Sequence, residues 1–101
     1  MEKIKFDFNS RTAIVTGGAQ GFGFDITKRF LKSGAKVIMW DNDPKAIDLA
    51  IKEIDSPNLS SHVVDVSNYK EVDKIVMEIT KNSNIDILIN NAGITGPTAT
   101  L

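Results

Sequence analysis

Residues 13 to 23 read Ala13-Ile14-Val15-Thr16-Gly17-Gly18-Ala19-Gln20-Gly21-Phe22-Gly23. The first part of this run is rich in β-branched residues, which is typical of a strand, and the second part is a turn rich in glycine. A helical pattern follows, because Phe22, Ile26 and Phe30 recur at four-residue spacing. A strand, a glycine-rich turn and a helix in this order predict the first half of a βαβ unit.

The rest of the chain alternates short apolar runs with amphipathic stretches in the same way. The predicted strands are residues 12–16, 36–41, 61–65 and 85–90. Helical spacing joins Ile47, Ala50, Ile51 and Ile54, and then Val72, Ile75, Val76 and Ile79. We expect all three apolar stripes, including that of the first helix, to pack in the core.

Single residues indicate where these helices begin and end. Gly34 is placed to end the first helix in a left-handed conformation. Asp43 and Pro44 are typical of a cap and a first helical position, and Ser67 or Asn68 is suited to cap the third helix.

Continuous apolar runs such as Val37-Ile38-Met39-Trp40 and Ile87-Leu88-Ile89 favour strands covered by helices on both faces. We therefore expect the N-terminal half of a doubly wound, Rossmann-like α/β fold, βαβαβαβ, with parallel strand order 3-2-1-4. The fourth strand would be an edge, so the chain should expose apolar surface and be marginally stable or self-associate.

Composition excludes several classes of function. The chain has 101 residues, 42% of them hydrophobic and 25% charged, which predicts one globular domain. Its formal net charge is −1 and its cations are scattered, so neither nucleic acid nor a membrane surface is an expected partner. It has no cysteine and a single histidine, His62, so no metal site is predicted. With no leader-like start or membrane-spanning run, a cytoplasmic location is expected.

The glycine turn is suited to bind a pyrophosphate. Glycine lets the backbone approach phosphate oxygens, and the free N–H groups and dipole of the following helix favour negative charge. Gly17, Gly21 and Gly23 are the predicted contacts. The alternative is that a tight strand-to-helix turn needs glycine for steric reasons alone.

Asp41 lies about 20 residues beyond the turn, at the predicted end of the second strand, where a carboxylate can accept hydrogen bonds from both ribose hydroxyls. A 2′-phosphate would be repelled by about 2–3 kcal/mol, so we predict NAD in preference to NADP. Gln20 and Asn42 are neutral where a phosphate site would need Arg or Lys. The alternative role of Asp41 is a capping or loop acid.

Four landmarks now stand in order: residues 16–23, Asp41, Asp65-Val66, and Asn90-Asn91-Ala92-Gly93. Together they resemble the classical short-chain dehydrogenase/reductase family over nearly the whole chain. The spacing of the glycines is similar to that of the classical branch and not of the extended, epimerase-like branch.

The resemblance implies that Asp65 and Val66 hold the adenine, and that Asn90, Ala92 and Gly93 line the ribose side of the cofactor. Asn91 would brace the strands beside the glycine turn. A strand-ending acid, a core valine and a simple strand terminator are the alternatives. The full predicted cofactor set is Gly17, Gln20, Gly21, Phe22, Gly23, Asp41, Asp65, Val66, Asn90, Ala92 and Gly93. The cofactor would lie across the carboxyl ends of strands 1, 2 and 4.

Asp25 departs from the family pattern, which usually has Ala at this early helix position. We expect it to interact favourably with the helix N-terminus. The alternative, that it points toward the pyrophosphate, would weaken cofactor binding.

No catalytic residue is predicted within the 101 residues. The family uses a Ser and a Tyr-x-x-x-Lys motif, which the resemblance places beyond Leu101, whereas Tyr69 is followed directly by Lys70. We therefore expect residues 1–101 to be the cofactor-binding part of an NAD-dependent oxidoreductase that interconverts an alcohol and a ketone, inactive on its own. By resemblance, the parent would be a homo-oligomer acting on a small carbonyl or alcohol, either a 3-oxoacyl thioester or a polyol or sugar.

Two other functions stay open. The chain would be a non-catalytic NAD-binding module or remnant if Ser and Tyr-x-x-x-Lys are missing downstream. A methyltransferase-like adenosine binder would also have an acid after its second strand, and would prefer S-adenosylmethionine to NADH.

Overall fold

The computed structural model describes residues 10–91, in which strands and helices alternate. The strands are β1 (Thr12–Thr16), β2 (Lys36–Asp41), β3 (Leu59–Val63) and β4 (Ile87–Asn90). The helices are α1 (Gly21–Lys32), α2 (Pro44–Ile54) and α3 (Tyr69–Thr80). All strand pairs are parallel, and the strand order is β3-β2-β1-β4. The doubly wound α/β fold with order 3-2-1-4 is confirmed.

The strand register aligns the carboxyl ends of the sheet. Thr16, the last residue of β1, pairs with Trp40 on one side and with Asn90 on the other. Asp41 pairs with Val63 at the end of β3. The turn after β1 therefore begins between the ends of β2 and β4, where parallel α/β sheets bind their ligands.

The helices cover both faces of the sheet. On one face α1 and α2 pack against Val15, Val37 and Met39. On the other face α3 packs against Ile14, Ile38 and Trp40 through its half-buried Val72, Ile75, Val76 and Ile79. The core is centred on β1 and β2, whose residues are all buried except Lys36. Within residues 10–91, no helix is both long and apolar enough to cross a membrane.

The predicted helix boundaries are confirmed. Gly34 follows α1 with a φ of 92°, a conformation that glycine adopts at little cost. The Asp43 side chain caps α2 by accepting hydrogen bonds from the Lys45 and Ala46 N–H groups, and Pro44 is the first helical residue. Of the two candidates for the α3 cap, the structure selects Asn68.

The predicted bounds of two strands were wrong. β3 begins at Leu59 and not at residue 61, since Leu59 and Ser60 pair with Val37 and Ile38 of β2. It ends at Val63 and not at residue 65, because the Asp65 side chain accepts hydrogen bonds from Ser67 and turns the chain away from the sheet. β4 begins at Ile87 and not at residue 85. Just before β4, the Asp86 N–H donates to the Thr12 carbonyl oxygen at 2.9 Å, and the Asp86 carboxylate accepts the Thr12 N–H at 2.9 Å.

Three apolar residues are more exposed than predicted. Leu88 in β4 is 60% exposed, so this strand is not covered on both faces. Phe22 is 81% exposed because α1 begins beyond the end of the sheet, and its predicted core role was wrong. Ile51 is also exposed, whereas Ile47 and Ala50 carry the buried contacts of α2.

Candidate functional site

The glycines of the turn meet two different geometric demands. Gly17 and Gly21 have φ values of 63° and 56°, in the left-handed region that other residues rarely adopt. Gly23 lies within α1, where a Cβ atom would come within 2.0 Å of the Gly17 carbonyl oxygen and 2.9 Å of Asn91 Nδ2. The turn therefore needs glycine for steric reasons, and the absence of side chains lets its backbone segments pack closely.

Buried hydrogen bonds fix the turn to its neighbours. The Gly18 N–H donates to the Trp40 carbonyl oxygen at 3.2 Å, and the fully buried Thr27 hydroxyl donates to the Gly18 carbonyl oxygen at 3.1 Å. A Cβ atom at Gly18 would lie 2.8 Å from the Val15 carbonyl oxygen. Sequence analysis missed both Gly18 and Thr27 as site residues. One signal in the sequence could have indicated Thr27: it is a polar residue next to Ile26, on the side of the amphipathic helix that faces the core.

The first turn of α1 is open to an anion. Gln20 is the cap residue, but its side chain makes no capping hydrogen bond, whereas the caps of α2 and α3 do. The first N–H groups of α1 therefore have no side-chain partner at the cap, and Gly21 and Phe22 are exposed there. Free N–H groups and the helix dipole are the features that bind phosphate.

Asp41 lies beside this open turn. It is only 5% exposed, and its Oδ2 accepts the Ala19 N–H at 3.3 Å. Its Oδ1 accepts the Asp43 N–H at 3.1 Å and the Gln20 Nε2–H at 3.4 Å. The bond from the Asp43 N–H fits the alternative role predicted for Asp41, that of a capping or loop acid. The bonds from Ala19 and Gln20 show in addition that the carboxylate faces the glycine turn.

The end of β4 is attached to the end of β1. The Asn91 N–H donates to the Thr16 hydroxyl oxygen at 2.8 Å, and that oxygen lies 3.3 Å from both the Ile89 carbonyl oxygen and Asn90 Oδ1. With its side chain against Gly23, Asn91 has the expected bracing position. Thr16 was not among the predicted site residues, although it stands at the boundary of strand and turn. Ala92 and Gly93 lie outside the described residues.

Asp65 and Val66 follow β3 at the same edge of the sheet. The Val64 N–H donates to the Asp41 carbonyl oxygen at 2.9 Å, which extends the contact between the chain after β3 and the end of β2. Hydrogen bonds from the Ser67 hydroxyl, and secondarily from its N–H, lower the pKa of the exposed Asp65 below its ordinary value of 3.8. Asp65 is thus a carboxylate at neutral pH, and half-buried Val66 packs on the Trp40 side of the core.

Asp25 does not have the expected contact with the helix start. It is the fifth residue of α1, beyond the first turn in which the helix dipole acts most strongly. Its carboxylate lies 3.7 Å from Lys28 Nζ on the exposed side of the helix. A surface ion pair between residues three apart on a helix contributes about 0.2–0.5 kcal/mol.

The structure thus brings most of the predicted residues to one edge of the sheet. The glycine turn, Gln20 and Asp41 are in direct contact, Asn90 adjoins Thr16 at the base of the turn, and Asp65 and Val66 lie beyond the end of β3. In the described part of the chain, no group of three or more His, Asp or Glu side chains is arranged to hold a metal ion.

Comparison with known proteins agrees with this geometry. The family model described as short chain dehydrogenase matches residues 11–101. An uncharacterised oxidoreductase of Mycobacterium bovis is 37% identical over 89 residues, which cover 86% of this chain and 36% of the relative. A 3-oxoacyl-[acyl-carrier-protein] reductase of Chlamydia trachomatis is 40% identical over 90 residues, 85% of this chain and 36% of the relative.

A solved structure resembles this chain over a similar share of its length. The 3-ketoacyl-(acyl-carrier-protein) reductase of Brucella melitensis, crystallised with NADH, superposes with a TM-score of 0.73 at 32% identity. The match covers 81% of this chain and 34% of that protein, so the chain spans about a third of the length of the relatives it matches. On the family match, the shared fold and the identities above, this chain belongs to the short-chain dehydrogenase family.

Proposed function

We propose that this chain binds NAD and serves as the dinucleotide-binding part of an oxidoreductase that interconverts an alcohol and a ketone. The observation that carries this proposal is the direct contact between the glycine turn and a buried acid, the 3.3 Å hydrogen bond from the Ala19 N–H to Asp41 Oδ2. It brings a phosphate-binding turn and a ribose-binding carboxylate to adjacent positions.

The residues present fit a dinucleotide. The pyrophosphate would lie on the uncapped start of α1. Next to it, the Gly17 backbone and the Asn91 side chain occupy the space that a Cβ atom at Gly23 would need. This close packing brings Gly17 and Gly23 together, and with Gly21 they would line the proposed anion site. Among the other predicted contacts, Asp65 and Val66 would receive the adenine, and Asn90, Ala92 and Gly93 would line the ribose side of the cofactor. Phe22, exposed at the start of α1, is a further predicted contact.

Asp41 supports NAD in preference to NADP. A 2′-phosphate would bring about two negative charges against this carboxylate, and a repulsion of about 2–3 kcal/mol corresponds to about 30- to 150-fold weaker binding. The ion pairs of residues 10–91 are Arg11–Asp86 and Lys28–Asp25, neither of which involves Asp41. Its side-chain donor is the neutral Gln20 amide.

The activity of the whole protein follows from the same proposal. Bound NAD supplies a hydride acceptor, and NADH a donor. The relatives that reduce 3-oxoacyl groups support a 3-oxoacyl thioester as substrate of the whole protein, with polyols and sugars as the other class. We expect the parent to be a homo-oligomer. We expect no turnover by the 101 residues alone, because their single tyrosine, Tyr69, has Asp73 and not lysine four positions later.

Fluorescence titration tests the cofactor proposal. Trp40 is the single tryptophan and directly precedes Asp41, so bound NADH should quench its emission by energy transfer. We expect the chain to bind NADH about 30- to 150-fold more tightly than NADPH. Asp41→Asn, which keeps the shape and removes the charge, should bring the two dissociation constants within about threefold of each other.

The control is Asp48→Asn, which removes the same charge from an exposed position on α2 and should leave the NADH preference unchanged. Circular dichroism would check that all three proteins fold. NADPH bound as tightly as NADH by the unaltered chain would refute the preference, and no binding of either would refute the proposal.

A non-catalytic NAD-binding module is the second candidate function. It rests on the same contact between the glycine turn and Asp41, and it would apply if Ser and Tyr-x-x-x-Lys are missing downstream. The titration above tests NAD binding by such a module as well. The two functions differ in the whole protein, where hydride transfer to a ketone would exclude a non-catalytic module.

A further inference from the structure

The hydrogen-bond acceptors of Asp41 are nearly all in use. A carboxylate has about four acceptor positions, two on each oxygen. From residues 10–91, three hydrogen bonds reach this one: the Ala19 N–H on Oδ2, and the Asp43 N–H and Gln20 Nε2–H on Oδ1. About one position is left for a further donor.

The three donors differ in how firmly they are held. The Ala19 N–H belongs to the glycine turn, and the Asp43 N–H directly precedes α2, so both are fixed by backbone structure. Gln20 contributes a side chain on an exposed residue, at the longest of the three distances, 3.4 Å. That side chain does not cap α1, so its departure leaves the helix start unchanged.

A ribose diol needs two acceptors, one for each hydroxyl. This step rests on the proposed function, in which Asp41 receives both hydroxyls of the adenosine ribose. With the Gln20 amide in place only about one acceptor is free, and with the amide gone there are two. We propose that Gln20 is an internal competitor, and not the cofactor contact that the sequence predicted: its amide covers one ribose-binding position of Asp41 and must leave before a dinucleotide binds fully.

The competition has a measurable size. The Gln20 bond is the longest and weakest of the three, so its loss in the free protein should tighten NADH binding only about two- to tenfold. Gln20→Met has the same length and no donor, and is the variant to compare. A residue that positioned Asp41 for the ribose would have the opposite effect, and its replacement would weaken binding.

The experiment compares two ligands on two proteins by the fluorescence of Trp40. The ligands are NADH and its analogue that lacks the 2′-hydroxyl of the adenosine ribose. We expect Gln20→Met to bind NADH about two- to tenfold more tightly than the unaltered chain. The two proteins should bind the 2′-deoxy analogue equally, because one hydroxyl needs only the acceptor that is already free.

Each other outcome overturns the inference. Equal or weaker NADH binding by Gln20→Met would show that the amide does not compete, and the same gain for both ligands would show that the effect does not pass through the ribose. A measurement without ligand separates these results from failure of the proposed function: the Gln20 side-chain amide resonance should shift in Asp41→Asn. If the resonance does not shift, the Gln20 amide does not contact Asp41 in solution, and the inference is wrong whether or not NADH binds.

Discussion

Gly23 is the residue at which a side chain would disturb the glycine turn most. A Cβ atom there would lie 2.0 Å from the Gly17 carbonyl oxygen, a backbone atom that cannot move without distorting the turn. At Gly21 a Cβ atom would meet nothing within 4 Å, and only the φ of 56° opposes a substitution. A side chain is therefore opposed by a steric clash at Gly23 and by the backbone conformation at Gly21.

We expect Gly23→Ala to lower the free energy of unfolding by about 2–3 kcal/mol, even after the better helix propensity of alanine is counted. Gly21→Ala should lower it by about 1–2 kcal/mol, the strain of a left-handed residue with a side chain. Urea denaturation followed by circular dichroism measures both values. A smaller loss at Gly23 than at Gly21 would contradict the close packing of the turn.

Local hydrogen-bonding residues determine where the helices begin, and Asp43 is the clearest case. Its carboxylate accepts the N–H groups of Lys45 and Ala46 at 3.0 and 3.3 Å, and Pro44 has no N–H to satisfy. We expect Asp43→Ala to lower the free energy of unfolding by about 1–2 kcal/mol in urea denaturation.

Asp48→Ala is the matched control for this cap. It removes the same charge from the exposed side of α2, in a helix interior where alanine is a better helix former than aspartate. Its unfolding midpoint should stay the same or rise. Equal losses in the two variants would indicate that charge, and not the cap, stabilises the start of α2.

The β4 edge of the sheet bears on how the whole molecule associates. In the part of the chain that the structure describes, β4 pairs on one side only, with β1, and Leu88 of this strand is 60% exposed. An unpaired strand with apolar side chains tends to pair with another chain. We therefore expect the 101-residue chain to self-associate as its concentration is raised.

Sedimentation velocity measures this association. Leu88→Lys should weaken it at least about tenfold, because a leucine buried on association contributes about 1.5–3 kcal/mol. Leu49→Lys alters an equally exposed leucine on the outer side of α2, away from the β4 edge, and should leave association unchanged. A chain that stays monomeric at every concentration would show that the edge is protected.

The interior of the sheet and the helix ends were predictable from the sequence alone. The bounds of β1 and β2 and the cap at Asp43 were predicted correctly, because apolar periodicity and capping chemistry act between neighbours in the chain. For α3 the sequence left Ser67 and Asn68 as candidates, and Asn68 is the cap. The approach of Asp41 to the glycine turn also followed, since parallel strands end at one edge of the sheet.

Tertiary contacts decided the rest. Asp86 pairs with Thr12, 74 residues away in the chain, through both its N–H and its carboxylate, and no local pattern encodes such a pairing. Thr16, Gly18 and Thr27 entered the site through buried bonds and close approaches that become visible only when β1, α1 and β2 meet. Local sequence therefore determined which elements form and where a dinucleotide site would lie. Packing decided which side chains touch, and it left Phe22 exposed, because burial depends on the neighbours that the fold places there.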